Sequence, residues 1–150
     1  MHKKKIYLSG DHAGFKLKEK ISAFLEKKGF EVKDFGPKEY NPGDDYPDFV
    51  IPMAKAVAKD NIRGIIIAGS GQGEAIAANK IKGIRAGLYE GDSTKIVFAG
   101  RSHDDINILC FGSRFVTERE AKKAITIFLE TKFEGGRHKR RLNKIKKIEK

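Results

Sequence analysis

Apolar positions along the chain fall into short runs separated by stretches of helical spacing. Lys5–Ser9 reads as a strand closed by Gly10. Phe15, Leu17, Ile21, Phe24 and Leu25 then recur on one side of a helix that ends at Gly29. Glu31–Phe35 predicts a second strand. The segment from Gly36 to Pro47 is turn-rich, with Pro37, Asn41, Pro42, Gly43, Asp44 and Asp45. A helix should run from about Pro47 to Lys59, where Pro52 is awkward because an interior proline removes a backbone donor. Arg63–Ala68 is the clearest strand. Its unbroken apolar stretch, Ile65 to Ala68, suits a strand buried on both faces of a parallel sheet. The remaining pattern gives a glycine-rich turn at Gly69–Gly73 and a helix to about Lys80. A strand at Ile84–Tyr89, a helix at Asp92–Gly100, a strand at Ile106–Phe111 and a helix at Thr117–Thr131 follow. A last helix places Leu142, Ile145 and Ile148 on one side.

Five strands alternating with helices predict an α/β architecture, a parallel and doubly wound sheet, in one domain over residues 1–150. Ligands of such sheets bind outside the carboxyl ends of the strands. That rule selects Asp11 and His12, Gly69–Glu74, Glu90, and Gly112–Arg114.

A chain of 150 residues can bury about 70% of its unfolded surface and needs no covalent staples. No apolar run approaches the roughly 20 residues a bilayer requires. The basic start (His2, Lys3, Lys4, Lys5) is not followed by a signal-peptide apolar region. The expectation is therefore a cytoplasmic protein without a membrane partner. A single cysteine, Cys110, excludes an intrachain disulfide and a cysteine-rich zinc site, and its apolar surroundings suggest a buried structural thiol.

Lys and Arg number 31 against 20 Asp and Glu, a net charge of +11. Most of the excess sits in the basic tail 137–150, which has eight basic residues and one acid. Such a tail attracts anions, whether nucleic acid, acidic lipid or phosphorylated metabolites, or else is a solvated helix surface. No nucleic-acid module is recognisable and the aromatics are not interleaved with the tail, so no specific nucleic-acid partner is expected.

The turn Gly69-Ser70-Gly71-Gln72-Gly73-Glu74 can aim several backbone N–H groups at one anion. It is not a dinucleotide fingerprint, because Glu74 occupies the place of the last required glycine. No Gly-Lys-Ser/Thr follows, so it is not a P-loop either. A carboxylate beside a nest of donors suits carbon-acid chemistry: Glu74 takes a proton next to a carbonyl, and the N–H groups hold the enediolate oxygen. The alternative is a plain strand-to-helix turn with Glu74 facing the helix dipole. Asp11 reads as a helix N-cap beside an ordinary loop histidine, His12. His103-Asp104-Asp105 reads as a turn before the fifth strand. No histidine spacing supports a metal site.

Seven motifs converge on one family. They are Ser-Gly-Asp-His-Ala-Gly-Phe (9–15), Asp-Tyr-Pro (45–47), Gly-Ser-Gly-Gln-Gly-Glu with Ala-Ala-Asn-Lys (69–80), Gly-Ile-Arg-Ala (83–86), Arg-Ser-His-Asp-Asp (101–105), Phe-Gly-Ser-Arg (111–114) and Glu-Gly-Gly-Arg-His (134–138). In order and spacing the chain resembles the type B ribose-5-phosphate isomerases, a family that includes the galactose-6-phosphate isomerase subunits. The resemblance implies a Rossmann-like three-layer α/β/α fold. It also implies a homodimer or tetramer with sites at the subunit interface, and interconversion of ribose 5-phosphate and ribulose 5-phosphate without metal or cofactor.

On this chain the resemblance makes Glu74 the base and Gly69, Ser70, Gly71, Gln72 and Gly73 the enediolate hole. His103 becomes the acid that opens the sugar ring, while Asp11, His12 and Asp104 line the sugar. Arg114, Arg137, His138 and Arg141 bind phosphate, for which a guanidinium is well shaped. The chain departs from the family twice. Ala68 stands where many relatives carry a cysteine base, which matches the branch that uses glutamate in the next turn. Asp104 replaces the usual asparagine, which bears on substrate identity and keeps a hexose 6-phosphate or tetrose 4-phosphate open. A non-catalytic nucleotide- or nucleic-acid-binding protein is the remaining alternative.

Overall fold

The computed structural model describes residues 3–149; His2 and Lys150, which belong to the basic segments at the two ends, lie outside the described residues. The strands are β1 (Lys5–Gly10), β2 (Glu31–Asp34), β3 (Gly64–Ala68), β4 (Ala86–Tyr89) and β5 (Ile108–Gly112). The helices are α1 (Phe15–Lys27), α2 (Pro47–Asp60), α3 (Gln72–Asn79), α4 (Lys95–Asp104), α5 (Glu118–Glu130) and α6 (Arg137–Lys146), with a 3-10 turn at His12–Gly14.

The strands pair in parallel in the order β2-β1-β3-β5-β4. Alternate residues feed opposite faces. Ile65 and Ile67 pack with Ile6, Leu8, Leu109 and Phe111 under α1, α4 and α5. Ile66 packs with Tyr7, Ile108 and Cys110 under α2 and α3. This is the three-layer, doubly wound arrangement expected, and the apolar run of β3 is explained by its being covered on both sides. The order reverses between β1 and β3, whose following helices lie on opposite faces, so the crevice of the sheet opens there.

Three local features differ from expectation or refine it. Pro52 sits inside α2 without ending it; the carbonyl it cannot serve belongs to Asp48, which is exposed to water. The start of β4 is shorter than the sequence suggests, and the Asn79 side chain completes it. Its amide donates to the Ala86 carbonyl at 3.0 Å and accepts from the Ala86 N–H at 2.8 Å, as a neighbouring strand would.

The third is α4, which runs four residues past Gly100. A glycine there looks like a terminator, but Ile106 packs over it, 3.0 Å from where a Cβ would stand. Arg101, buried beside it, holds the helix end by donating to the Ile106 carbonyl at 2.6 Å and pairing with Asp105 at 2.8 Å. His103 and Asp104 therefore belong to the last turn of a helix, not to a loop before β5.

Candidate active site

The carboxyl ends of β1, β3 and β5 are stitched together by direct backbone contact. A Cβ on Gly10 or Gly14 would strike the Ile67 carbonyl, and one on Gly112 would strike the backbone of Gly69 and Ser70. The Ser113 N–H donates to the Ala68 carbonyl at 2.7 Å, and the Ser113 hydroxyl donates to the Ala13 carbonyl at 2.7 Å. The Arg114 N–H reaches the Gly69 carbonyl at 3.2 Å. Its guanidinium lies against Gly69, 3.0 Å from the position of a Cβ there. These contacts bring Asp11, His12, Gly69–Glu74 and Arg114 to one crevice.

Asp11 does what its sequence position suggests. It is buried and its carboxylate caps the 3-10 turn, accepting from the N–H groups of Ala13 (3.0 Å) and Gly14 (3.4 Å). His12 is held from outside its own segment. Its Nδ1 lies 2.7 Å from Oδ1 of Asp44, which also accepts from the His12 N–H at 3.3 Å. Tyr40 meets the ring edge-on, with centroids 6.2 Å apart.

Gly71 takes φ 84°, a left-handed conformation that glycine adopts freely, and so turns the chain into α3. Gly73 is packed against the Tyr46 ring so closely that a side chain there would collide with the phenol. The Ser70 hydroxyl accepts the Gln72 N–H at 3.2 Å, which leaves its own proton free to donate. Gln72 in turn donates to Glu90 at 3.2 Å.

Glu74 is the third residue of α3 and is only 4% exposed. Burial pushes its carboxyl above the ordinary carboxylate range; its own backbone N–H opposes that, and the negative charge of Asp11 adds to it. Behind it, burial drives the Cys110 thiol far up, with the Glu74 charge adding, so Cys110 stays an inert thiol.

The other residues singled out from sequence stand elsewhere. α4 returns along the sheet, and its last turn meets the amino ends of the strands. Arg85, just before β4, donates to the Asp105 carbonyl at 2.8 Å, and the Gly64 N–H that opens β3 bonds to the Asn107 carbonyl at 2.9 Å. His103 and Asp104 are therefore at the opposite edge from Glu74. With β3 and β5 five residues long, the two edges are about 16 Å apart.

His103 stacks on His138 of α6, with centroids 4.4 Å apart and ring planes 9° from parallel. Glu134 Oε2 lies 3.5 Å from Nε2 of His103 and 3.4 Å from Nε2 of His138. Arg137 and Arg141 are exposed on the same helix. One chain thus presents two half-sets: Asp11, His12, Gly69–Glu74 and Arg114 at one edge, and His103, Asp104, Arg137, His138 and Arg141 at the other.

Sequence reasoning passed over Asp44, Tyr46 and Glu134 as site residues. Asp44 is hidden in a stretch whose Pro, Gly and Asn content marks only a turn, and Glu134 is one acid among several near a basic tail. The clusters Asp11–His12–Asp44 and His103–Glu134–His138 each hold three potential metal ligands within 4.8 Å of one another. In both, carboxylate–imidazole contacts among the members account for the closeness.

A parallel sheet with a donor-rich turn and a buried carboxylate at its reversal point defines an α/β enzyme for a small anionic ligand. Known proteins make the class specific. Residues 6–145 match the family model described as Ribose/Galactose Isomerase. Ribose-5-phosphate isomerase B of Escherichia coli is 43% identical over 148 residues, 97% of each chain. The Mycoplasma genitalium ribose-5-phosphate isomerase B, solved with bound ribulose 5-phosphate, is 45% identical with a TM-score of 0.92, over 97% of this chain and 95% of that one. The Clostridium thermocellum enzyme of the same name is 43% identical with a TM-score of 0.91, over 97% of each chain. The chain belongs to the ribose/galactose isomerase family.

Proposed function

We infer that residues 1–150 form one isomerase domain that interconverts ribose 5-phosphate and ribulose 5-phosphate as a homodimer in the cytoplasm. The observation that carries the chemistry is Glu74, a buried carboxylate on a donor-rich helix start in a chain of this family. Burial makes it a stronger base than a solvated carboxylate. It moves a proton between C1 and C2, while the Gly69–Gly73 turn and the Ser70 hydroxyl hold the enediolate oxygen.

The dimer follows from the two half-sets. A pentose phosphate cannot bridge about 16 Å, so Glu74 of one protomer works with the ring-opening His103 of its partner. Arg137, His138 and Arg141 come with that His103 and join Arg114 on the phosphate. The basic tail then holds substrate rather than nucleic acid. No helix among the described residues is long and apolar enough to cross a membrane.

The test is isomerisation of ribose 5-phosphate in metal-free buffer, wild type beside Glu74→Gln, with galactose 6-phosphate and allose 6-phosphate in parallel. Pentose turnover lost in the variant is expected. Turnover of a hexose phosphate alone moves the substrate, and no turnover of any sugar phosphate removes the reading. Mixing Glu74→Gln with His103→Asn subunits tests the shared site: each mixed dimer regains one intact site, so random mixing restores about a quarter of wild-type activity. Sites built within one chain restore none.

A further inference from the structure

Aldose–ketose isomerisation moves two protons. One passes between carbons and is the task of Glu74. The other leaves the hydroxyl on C2 and arrives on the oxygen of C1, and that step needs a group that accepts from a hydroxyl and gives the proton back. A neutral imidazole does so only through its unprotonated nitrogen, so the tautomer decides which edge of the ring is useful.

At His12 the ring nitrogen Nδ1 faces a residue 32 positions away. Asp44 Oδ1 lies 2.7 Å from Nδ1, a charge-assisted distance, and the same oxygen accepts the His12 backbone N–H. The Asp44 side chain is 5% exposed and its Oδ2 is buried without a partner. Such a carboxylate is costly to bury and is tolerated where a proton is held against it. The only nitrogen of His12 left for solvent or substrate is Nε2, on a side chain that is 27% exposed. The other groups at the ring are the Asp11 carboxylate and the Tyr40 edge, neither of which competes for Nδ1.

We propose that Asp44 is a positioning residue that keeps the proton of neutral His12 on Nδ1, so that Nε2 accepts a substrate hydroxyl proton. His12 takes the proton of the C2 hydroxyl on Nε2 and returns it to the C1 oxygen, and the Asp44 carboxylate steadies the imidazolium in between. No proton is gained or lost overall. The catalytic consequence rests on the isomerase reading; the tautomer does not.

The experiment is nitrogen NMR on protein labelled at histidine, at a pH above the ordinary imidazole range, with His12→Gln to assign the signal. Activity is measured on the same samples. The expected result is Nδ1–H in wild type and Nε2–H in Asp44→Ala, with kcat lowered about tenfold or more and KM within about twofold. Asp44→Asn keeps an acceptor oxygen and sheds the buried charge, so it should stay folded and retain the Nδ1 proton, with a kcat between those of Asp44→Ala and wild type. An Nε2–H tautomer in wild type, or one unchanged in Asp44→Ala, overturns the proposal. So does a switched tautomer with unchanged kcat. A tautomer that switches between wild type and Asp44→Ala, in a protein whose wild type isomerises no sugar phosphate, sustains the positioning and removes the isomerase reading instead.

Discussion

The ammonium of Lys18, on the first turns of α1, is fully buried and closes an ion pair on Asp34 at the end of β2, whose side chain is still 33% exposed. Asp34 also accepts the Gly36 N–H at 2.7 Å, so the pair anchors the start of the loop that carries Asp44 and Tyr46. The two halves of the pair are not equivalent. Removing Asp34 strands a charge inside the protein, with the exposed Glu19 at 3.4 Å its one other acidic partner among the described residues, whereas removing Lys18 leaves a carboxylate that water can reach.

Asp34→Ala should therefore destabilise the fold by about 3–5 kcal/mol, and Lys18→Met by about 1 kcal/mol or less. Urea unfolding of the two variants decides it. The reverse order would mean that the charge of Lys18 is solvated after all.

Glu74 gives a signed pH prediction. Its folded-state pKa is raised by burial, so the native protein holds its proton to higher pH than the unfolded chain does. Stability from this group is present below the unfolded carboxylate pKa and falls as pH rises through the folded value. Glu74→Gln should melt higher than wild type at neutral pH, and the gain should vanish near pH 4. The acidic limb of kcat/KM should likewise lie above the ordinary carboxylate range. A variant that melts lower at pH 7 would contradict the burial argument.

The His103–His138 stack separates shape from chemistry. His138→Phe keeps a ring on His103 and should unfold within about 0.5 kcal/mol of wild type, while His138→Ala should lose about 1–2 kcal/mol. Both should raise KM for a phosphorylated substrate if His138 serves the phosphate. Equal KM in wild type and His138→Phe would confine His138 to packing.

The fold was legible where local pattern and burial agree. Ile65 to Ile67 announce a strand covered on both faces, and Gly71 with Glu74 announces the turn that enters α3. The end of α4 was not legible, because what lets Gly100 stay helical is Ile106, a side chain beyond the helix. That boundary matters: it puts His103 and Asp104 in the last turn of α4 rather than in a turn before β5. Asp44 was hidden for a related reason. Its surroundings in sequence are solvent-facing turn residues, and its partner is His12, which only the folded chain brings near.

Asn79 bears on how the protein stays out of trouble in a crowded cell. β4 borders the sheet, and an open border is a template on which a stray strand from another molecule can grow an aggregate. By filling both hydrogen-bonding groups of Ala86 with its own amide, Asn79 shortens that template at the end where pairing would begin. An intruding segment must first evict a side chain anchored in α3. The same two bonds that finish a four-residue strand thus act as a guard against edge-to-edge association.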